Sequence, residues 1–217
     1  LNNQDKPPDQ NTRQQLESAL AHQDAGRIDV AIKTYQSVLS HSPRNANAHH
    51  LLGALLFQSG RDPKNGLAHV QQATEIDDDR PDHHNTLGVL YRSLKQSDQS
   101  VSSLKRAISL VPDYAEAWNN LGATYEDSND PIASTKAYET ALRHAPEYFQ
   151  AAINLGRLCL HQAAYDHATE TYKLAVELAP NNEEALFGYG LVLENPSSHT
   201  KCIIFRRGCE LVEDLVG

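Results

Sequence analysis

His49-His50 and His83-His84 are the residues best suited to chemistry, because imidazoles bind transition ions and exchange protons near neutral pH. Adjacent residues on a helix point about 100° apart, so each pair can offer only one imidazole to a shared ion. Solvated or helix-packing histidines are the expectation, and no metal site is assigned. Asp77-Asp78-Asp79 begins like a calcium loop, but the glycine of its sharp turn and its distal glutamate are missing, so a solvated helix end is expected. Cys159, Cys202 and Cys209 form no C-x-x-C pair, and none has a base placed beside it in sequence. Cys159 falls at a core phase, and Cys202 and Cys209 would share one helical face, so all three read as packing. No nucleophile elbow, phosphate-binding glycine loop or H-E-x-x-H pair occurs. The expectation is a protein that is not an enzyme and takes no cofactor.

These residues sit in a chain of 217 with 19 Lys plus Arg against 28 Asp plus Glu, a net charge of −9. A 40 % hydrophobic and 22 % charged composition is that of a globular chain and excludes disordered and collagenous classes. An acidic balance argues against nucleic acid as a partner, since that binding rests on clustered Lys and Arg. No apolar run is long enough to span a membrane. Few cysteines and no Asn-x-Ser/Thr acceptor point to a reducing compartment, and the expected location is cytoplasmic.

The elements that must position the side chains show as an internal period. Leu52-Gly53, Leu87-Gly88, Leu121-Gly122, Leu155-Gly156 and Tyr189-Gly190 place glycines 35, 34, 34 and 34 residues apart. Pro43, Pro112, Pro146 and Pro180 repeat the message with separations of 69, 34 and 34, and Asp78 stands where a proline is missing. Between each glycine and the next proline, apolar residues fall at helical spacing, as in Ala31, Tyr35 and Val38. Each period therefore holds two helices. Gly26, Gly60 and Asn129 mark the turn between them, and proline closes the second helix. The one extra residue is expected within Arg61 to Asn65, with Asp62-Pro63 read as loop.

The pattern resembles the tetratricopeptide repeat (TPR) family. Trp118, Leu121, Gly122, Tyr125, Tyr138, Ala141 and Pro146 match its set positions, with Ser134 for the usual Ala; Leu155, Gly156, Ala168, Tyr172, Ala175 and Pro180 match again. The resemblance implies an all-α, right-handed superhelical solenoid of stacked helix-turn-helix repeats. Its units would be 12–45, 46–80, 81–114, 115–148 and 149–182, with a partial one at 183–194, after a flexible segment 1–11. Residues 195–217 depart from the pattern and read either as an amphipathic closing helix or as an altered end.

In proteins similar to this one, the second, fifth, sixth, ninth, twelfth and thirteenth positions of each unit line a concave groove. The resemblance thus nominates Phe57, Arg92, Asn119, Asn120, Ile153, Asn154, Arg157 and His161 as peptide-binding residues, with Phe57 and Ile153 as apolar anchors. Asn120 and Asn154 share a phase, and a row of amides can hold an extended peptide backbone without reading its sequence. That row is similar to the asparagine ladder of O-linked N-acetylglucosamine transferase repeats, though Leu51 and Thr86 break it. Glu116, Glu126 and Asp127 would repel a strongly acidic ligand. The expected function is a scaffold that binds a peptide segment of a partner protein. The alternative is the substrate-recruiting part of a larger enzyme such as a glycosyltransferase, suggested by the Met-less start and the collapsed last repeat. Self-association through the C-terminal end is a third expectation, driven by Phe187, Leu191, Ile203, Ile204 and Phe205.

Overall fold

The computed structural model describes residues 10–194. The expected closing helix, Cys202, Cys209 and the apolar residues 203–205 lie outside them, as does most of the segment 1–11. The described residues form eleven helices and no strand. Two compact units divide the chain, Leu1–Pro112 and Asp113–Gly217.

The first unit contains α1 (Gln10–Asp24), α2 (Ile28–His41), α3 (Ala46–Gln58), α4 (Pro63–Ile76), α5 (Pro81–Ser93) and α6 (Ser97–Leu110). Helices pair in sequence order, α1 with α2, α3 with α4 and α5 with α6, and α2 then packs on α3 and α4 on α5. Leu16 and Ala19 meet Ala31, Tyr35 and Val38, which in turn meet Ala48, Leu52, Leu55 and Leu56. α1 begins at Gln10, so the last two residues of the segment expected to be flexible are helical.

The second unit contains α7 (Ala115–Asp127), α8 (Pro131–His144), α9 (Phe149–His161), α10 (Tyr165–Leu178) and α11 (Glu183–Glu194). α7 pairs with α8 and α9 with α10; α8 packs on α9, and α11 on α10 and α9. Tyr138, Ala152, Leu155, Cys159, Ala168, Tyr172, Ala175, Ala185 and Val192 belong to its core. Phe187 and Leu191 are exposed on α11, at 70 % and 40 %.

Each turn inside a pair needs one residue in the left-handed region. Gly26 and Gly60 have φ of 71° and 66°, and Asn129 has 58°; these are the residue types that tolerate it. Lys95 (φ 61°) and Ala163 (φ 57°) take the same place in the remaining pairs, where residue type gave no sign of it. A non-glycine side chain there crowds the following carbonyl. The turn from α3 to α4 has four residues, Ser59–Asp62, where the others have three, and this is where the additional residue falls. Pro63 is not loop as expected but the first residue of α4. Its fixed φ suits a helix start and its missing N–H needs no partner there, while Asp62 caps the helix by accepting from Asn65 N at 3.1 Å.

What sets the distance between paired helices is the glycine of each Leu-Gly. A Cβ on Gly122 would stand 2.7 Å from the ring of Tyr138, which is fully buried, and one on Gly156 would stand 3.1 Å from the ring of Tyr172. Where α4 offers Gly66 and Val70 in place of a serine or alanine and an aromatic, the backbones approach instead: a Cβ on Gly53 would meet Gly66 O at 2.6 Å. Ser100 and Ser134 tie the pairs further, each Oγ donating at 2.8 Å to the carbonyl of Gly88 or Gly122.

Two substitutions test this account in opposite directions. Gly122→Ala overpacks the Tyr138 ring and is expected to cost about 1–3 kcal/mol in urea unfolding. Ala163→Gly relieves a left-handed alanine and is expected to stabilise by about 0.5 kcal/mol, the conformational gain exceeding the added unfolded-state freedom.

Candidate functional site

α9 carries half of the nominated residues, and its pattern explains which of them face solvent. Ala152, Leu155, Leu158 and Cys159 are buried, whereas Gln150, Asn154, Arg157 and His161 follow an i, i+4, i+7, i+11 course along another face. Gln150 and His161 are exposed, and Asn154 and Arg157 are half-buried. Gln150 Nε2 donates to Asn154 Oδ1 at 3.3 Å, and an Arg157 amino group donates to the same oxygen at 3.4 Å. The four side chains form one stripe rich in donors.

α7 meets this stripe from the side. Asn154 Nδ2 donates to Asn119 Oδ1 at 2.9 Å, and Asn119 is only 5 % exposed. The amide contact thus joins the fifth position of one unit to the sixth of the next, not the same-phase pair Asn120 and Asn154. Asn120 is half-buried. Arg157 also reaches Glu126 Oε1 at 3.4 Å, and Tyr138 donates its hydroxyl to Glu126 Oε2 at 2.9 Å. Glu126 is therefore an acceptor for two groups, a role that its place twelve residues before the core Tyr138 could have signalled.

The other nominated residues fare differently. Ile153 cannot be an apolar anchor: it is fully buried, because the fifth position of α9 turns into the core of the second unit. Phe57, in the first unit, is half-buried and packs against Val70, Leu87 and Leu90, so most of its ring is spent on the interior. Arg92, also in the first unit, is half-buried near the end of α5, and its carbonyl accepts from Lys95 N at 2.9 Å.

The histidine pairs separate as helical geometry requires. His49 turns to His69 of α4, Nδ1 to Nδ1 at 2.9 Å, and its Nε2 lies 3.0 Å from the Pro43 carbonyl. His84 turns to Asp78, with Nε2 2.9 Å from the carbonyl and 3.1 Å from Oδ1. Asp78 also pairs with Arg106, whose hydrogen bond holds the carboxyl below its ordinary range. The triple-aspartate segment is thus solvent-facing, as expected, but tied to α5 and α6.

His50 and His83 turn towards one another, their ring centroids 4.6 Å apart at 42°. His50 Nε2 lies 2.8 Å from Thr86 Oγ1. Burial, with His83 adding to it, pushes the His50 pKa down to about 4, and burial lowers that of His83, so both rings are neutral at pH 7. Asp82 completes the group; Arg80 donates to its two oxygens at 3.1 and 2.8 Å and to Asn47 Oδ1 at 3.3 Å. Cys159 is 1 % exposed, and burial, with Glu139 nearby, pushes its thiol up to about 11.

Paired antiparallel helices of about 13 residues, repeated with a glycine contact in the α3–α4, α5–α6, α7–α8 and α9–α10 pairs, define a helical-repeat protein. The sequence profile of the TPR repeat matches residues 88–129, and that of the tetratricopeptide repeat matches residues 16–81 and 124–183. The chain belongs to the tetratricopeptide repeat family. No curated protein is significantly similar to it in sequence. Among solved structures it is similar to pilF of Pseudomonas aeruginosa, with 20 % identity over 84 % of this chain and 83 % of that one, at a TM-score of 0.76. TTC0263, a thermophilic TPR protein of Thermus thermophilus, has 20 % identity over 84 % of this chain and 98 % of that one, at a TM-score of 0.68. YrrB, a TPR protein with an unusual peptide-binding site, has 18 % identity over 81 % of this chain and 90 % of that one, at a TM-score of 0.63. At these identities the likeness is one of fold.

Asn154→Ala leaves the buried Asn119 oxygen without its donor and is expected to destabilise the protein by about 1–2 kcal/mol, measured by urea unfolding. Cys159 is expected to escape alkylation at pH 8 in the native protein and to react once urea is added, as read by peptide mapping.

Proposed function

We propose that the protein is an interaction scaffold that holds an extended peptide segment of a partner protein against the first helices of its repeats. The observation that carries this reading is the α9 stripe. Gln150, Asn154, Arg157 and His161 present amide, guanidinium and imidazole groups along one line, and amides with donors and acceptors suit a peptide backbone. Asn119 contributes by fixing the Asn154 amide, and Asn120 on α7 extends the polar surface. Phe57 and Arg92 would belong to a corresponding surface on the first unit. Glu126 beside Arg157 favours a partner segment that is not strongly acidic. YrrB, with its peptide-binding site, lends the reading analogy of fold alone.

The alternative, a region that recruits substrates for an attached enzyme such as a glycosyltransferase, calls on the same amide row. It gains no separate support from the site, since Asn154 already spends a donor on Asn119. The partial likeness to O-linked N-acetylglucosamine transferase repeats stays at the level of that row.

The test is affinity capture from source-cell lysate with the full chain beside a Gln150→Ala, Arg157→Glu, His161→Ala triple variant, with quantitative mass spectrometry. These replacements leave Asn119 and Asn154 themselves in place, and circular dichroism checks that both forms are folded. A partner whose retention falls about tenfold or more, equivalent to about 1.4 kcal/mol, supports the stripe as its binding surface. Equal retention of every captured protein would overturn it.

A further inference from the structure

In the first unit, the fully buried His83 has no hydrogen-bond partner on either ring nitrogen. Buried polar groups are almost always satisfied, and an imidazole that is not invites a missing partner. One coordinating atom from each of His50, Asp82 and His83 lies within 4.8 Å of the others. The residues come from two helices, His50 from α3 and the adjacent Asp82 and His83 from α5, and these helices touch. Each His-His pair has given a single ring to the cluster, and Asp82, the neighbour of His83 in the first turn of α5, reaches the same place.

We propose that His50, Asp82 and His83 bind a divalent transition ion, zinc foremost, that staples α3 to α5. Two imidazoles and one carboxylate match the nitrogen and oxygen preference of zinc, whereas calcium and magnesium take oxygen ligands and copper(I) prefers sulfur. Tetrahedral bonds of about 2.0–2.1 Å require ligand atoms about 3.3 Å apart, so the three side chains close inwards on binding. His50 and Asp82 are half-buried and have room to do so, and they give the ion a way in. A second shell is already present. Thr86 holds the His50 ring at 2.8 Å, and Arg80 holds both Asp82 oxygens while leaving each a further lone pair. Arg80 is the cation beside the cluster, and its charge is offset by Asp82. Three protein ligands leave the fourth position to water.

The experiment uses the full chain stripped with chelator and titrated with Zn²⁺ by calorimetry, and with Co²⁺ by absorption. The expected result is one ion per chain, a raised Tm, and a cobalt spectrum without thiolate charge transfer, which separates this site from the cysteines. Affinity is expected to fall by more than about tenfold in His50→Gln, Asp82→Asn and His83→Gln. The control His49→Gln, His69→Gln, which removes the other imidazole contact, is expected to bind as the parent does. If His83→Gln does not fold, the half-buried His50 and Asp82 variants decide the question. No binding by the parent chain, unchanged affinity in His50→Gln and Asp82→Asn, loss in the control alone, or a thiolate band would each overturn the proposal.

Discussion

The close approach of two helices at a residue without a side chain is the constraint on which the rest of each unit depends. At Gly122 and Gly156 the gap is filled by an aromatic ring, so that the ring and the glycine define the spacing together. Tyr172 is used twice, because Gly188 of α11 also lies against its ring. One side chain therefore fixes both the distance within its own pair and the seat of the following helix. Burial of such rings removes water from large apolar areas, and the serine bonds to the Gly88 and Gly122 carbonyls add direction to an otherwise directionless force.

Much of this was legible because it depends on residue type at a fixed interval. The helices, the Leu-Gly contacts and the glycine and asparagine turns follow from side-chain size and backbone freedom alone. Lys95 and Ala163 were not legible, since a turn imposed by its two flanking helices can force a left-handed conformation on a residue that does not favour it. Pro63 starts a helix rather than lying in a loop because proline is excluded from the helix interior but welcome in its first turn.

The candidate site was less legible, and the fifth position shows why. Asn85, Asn119 and Ile153 are all buried there, and His50 is half-buried. A family-wide list of groove positions treats them as exposed, but a neighbouring first helix decides the matter. Where that neighbour offers Asn154, an asparagine is satisfied; where it offers Asp82 and His83, an imidazole finds polar atoms. Sequence gives the phase of each side chain but not its opposite number, so paired polar contacts emerge only when both helices are in place.

The Asp62 cap also governs how this chain ages. Asn65-Gly66 is the dipeptide in which an asparagine side chain is most readily attacked by the following backbone nitrogen, closing a succinimide that hydrolyses to aspartate or isoaspartate. Here Gly66 N already donates to the Asp62 carbonyl at 2.8 Å, and Asn65 Nδ2 donates to the Asp62 carboxylate at 3.0 Å. Nucleophile and electrophile are both held in helical geometry, away from ring closure. The residue that caps α4 thus shields the chain from a spontaneous covalent lesion where the backbones of α3 and α4 approach at Gly53 and Gly66.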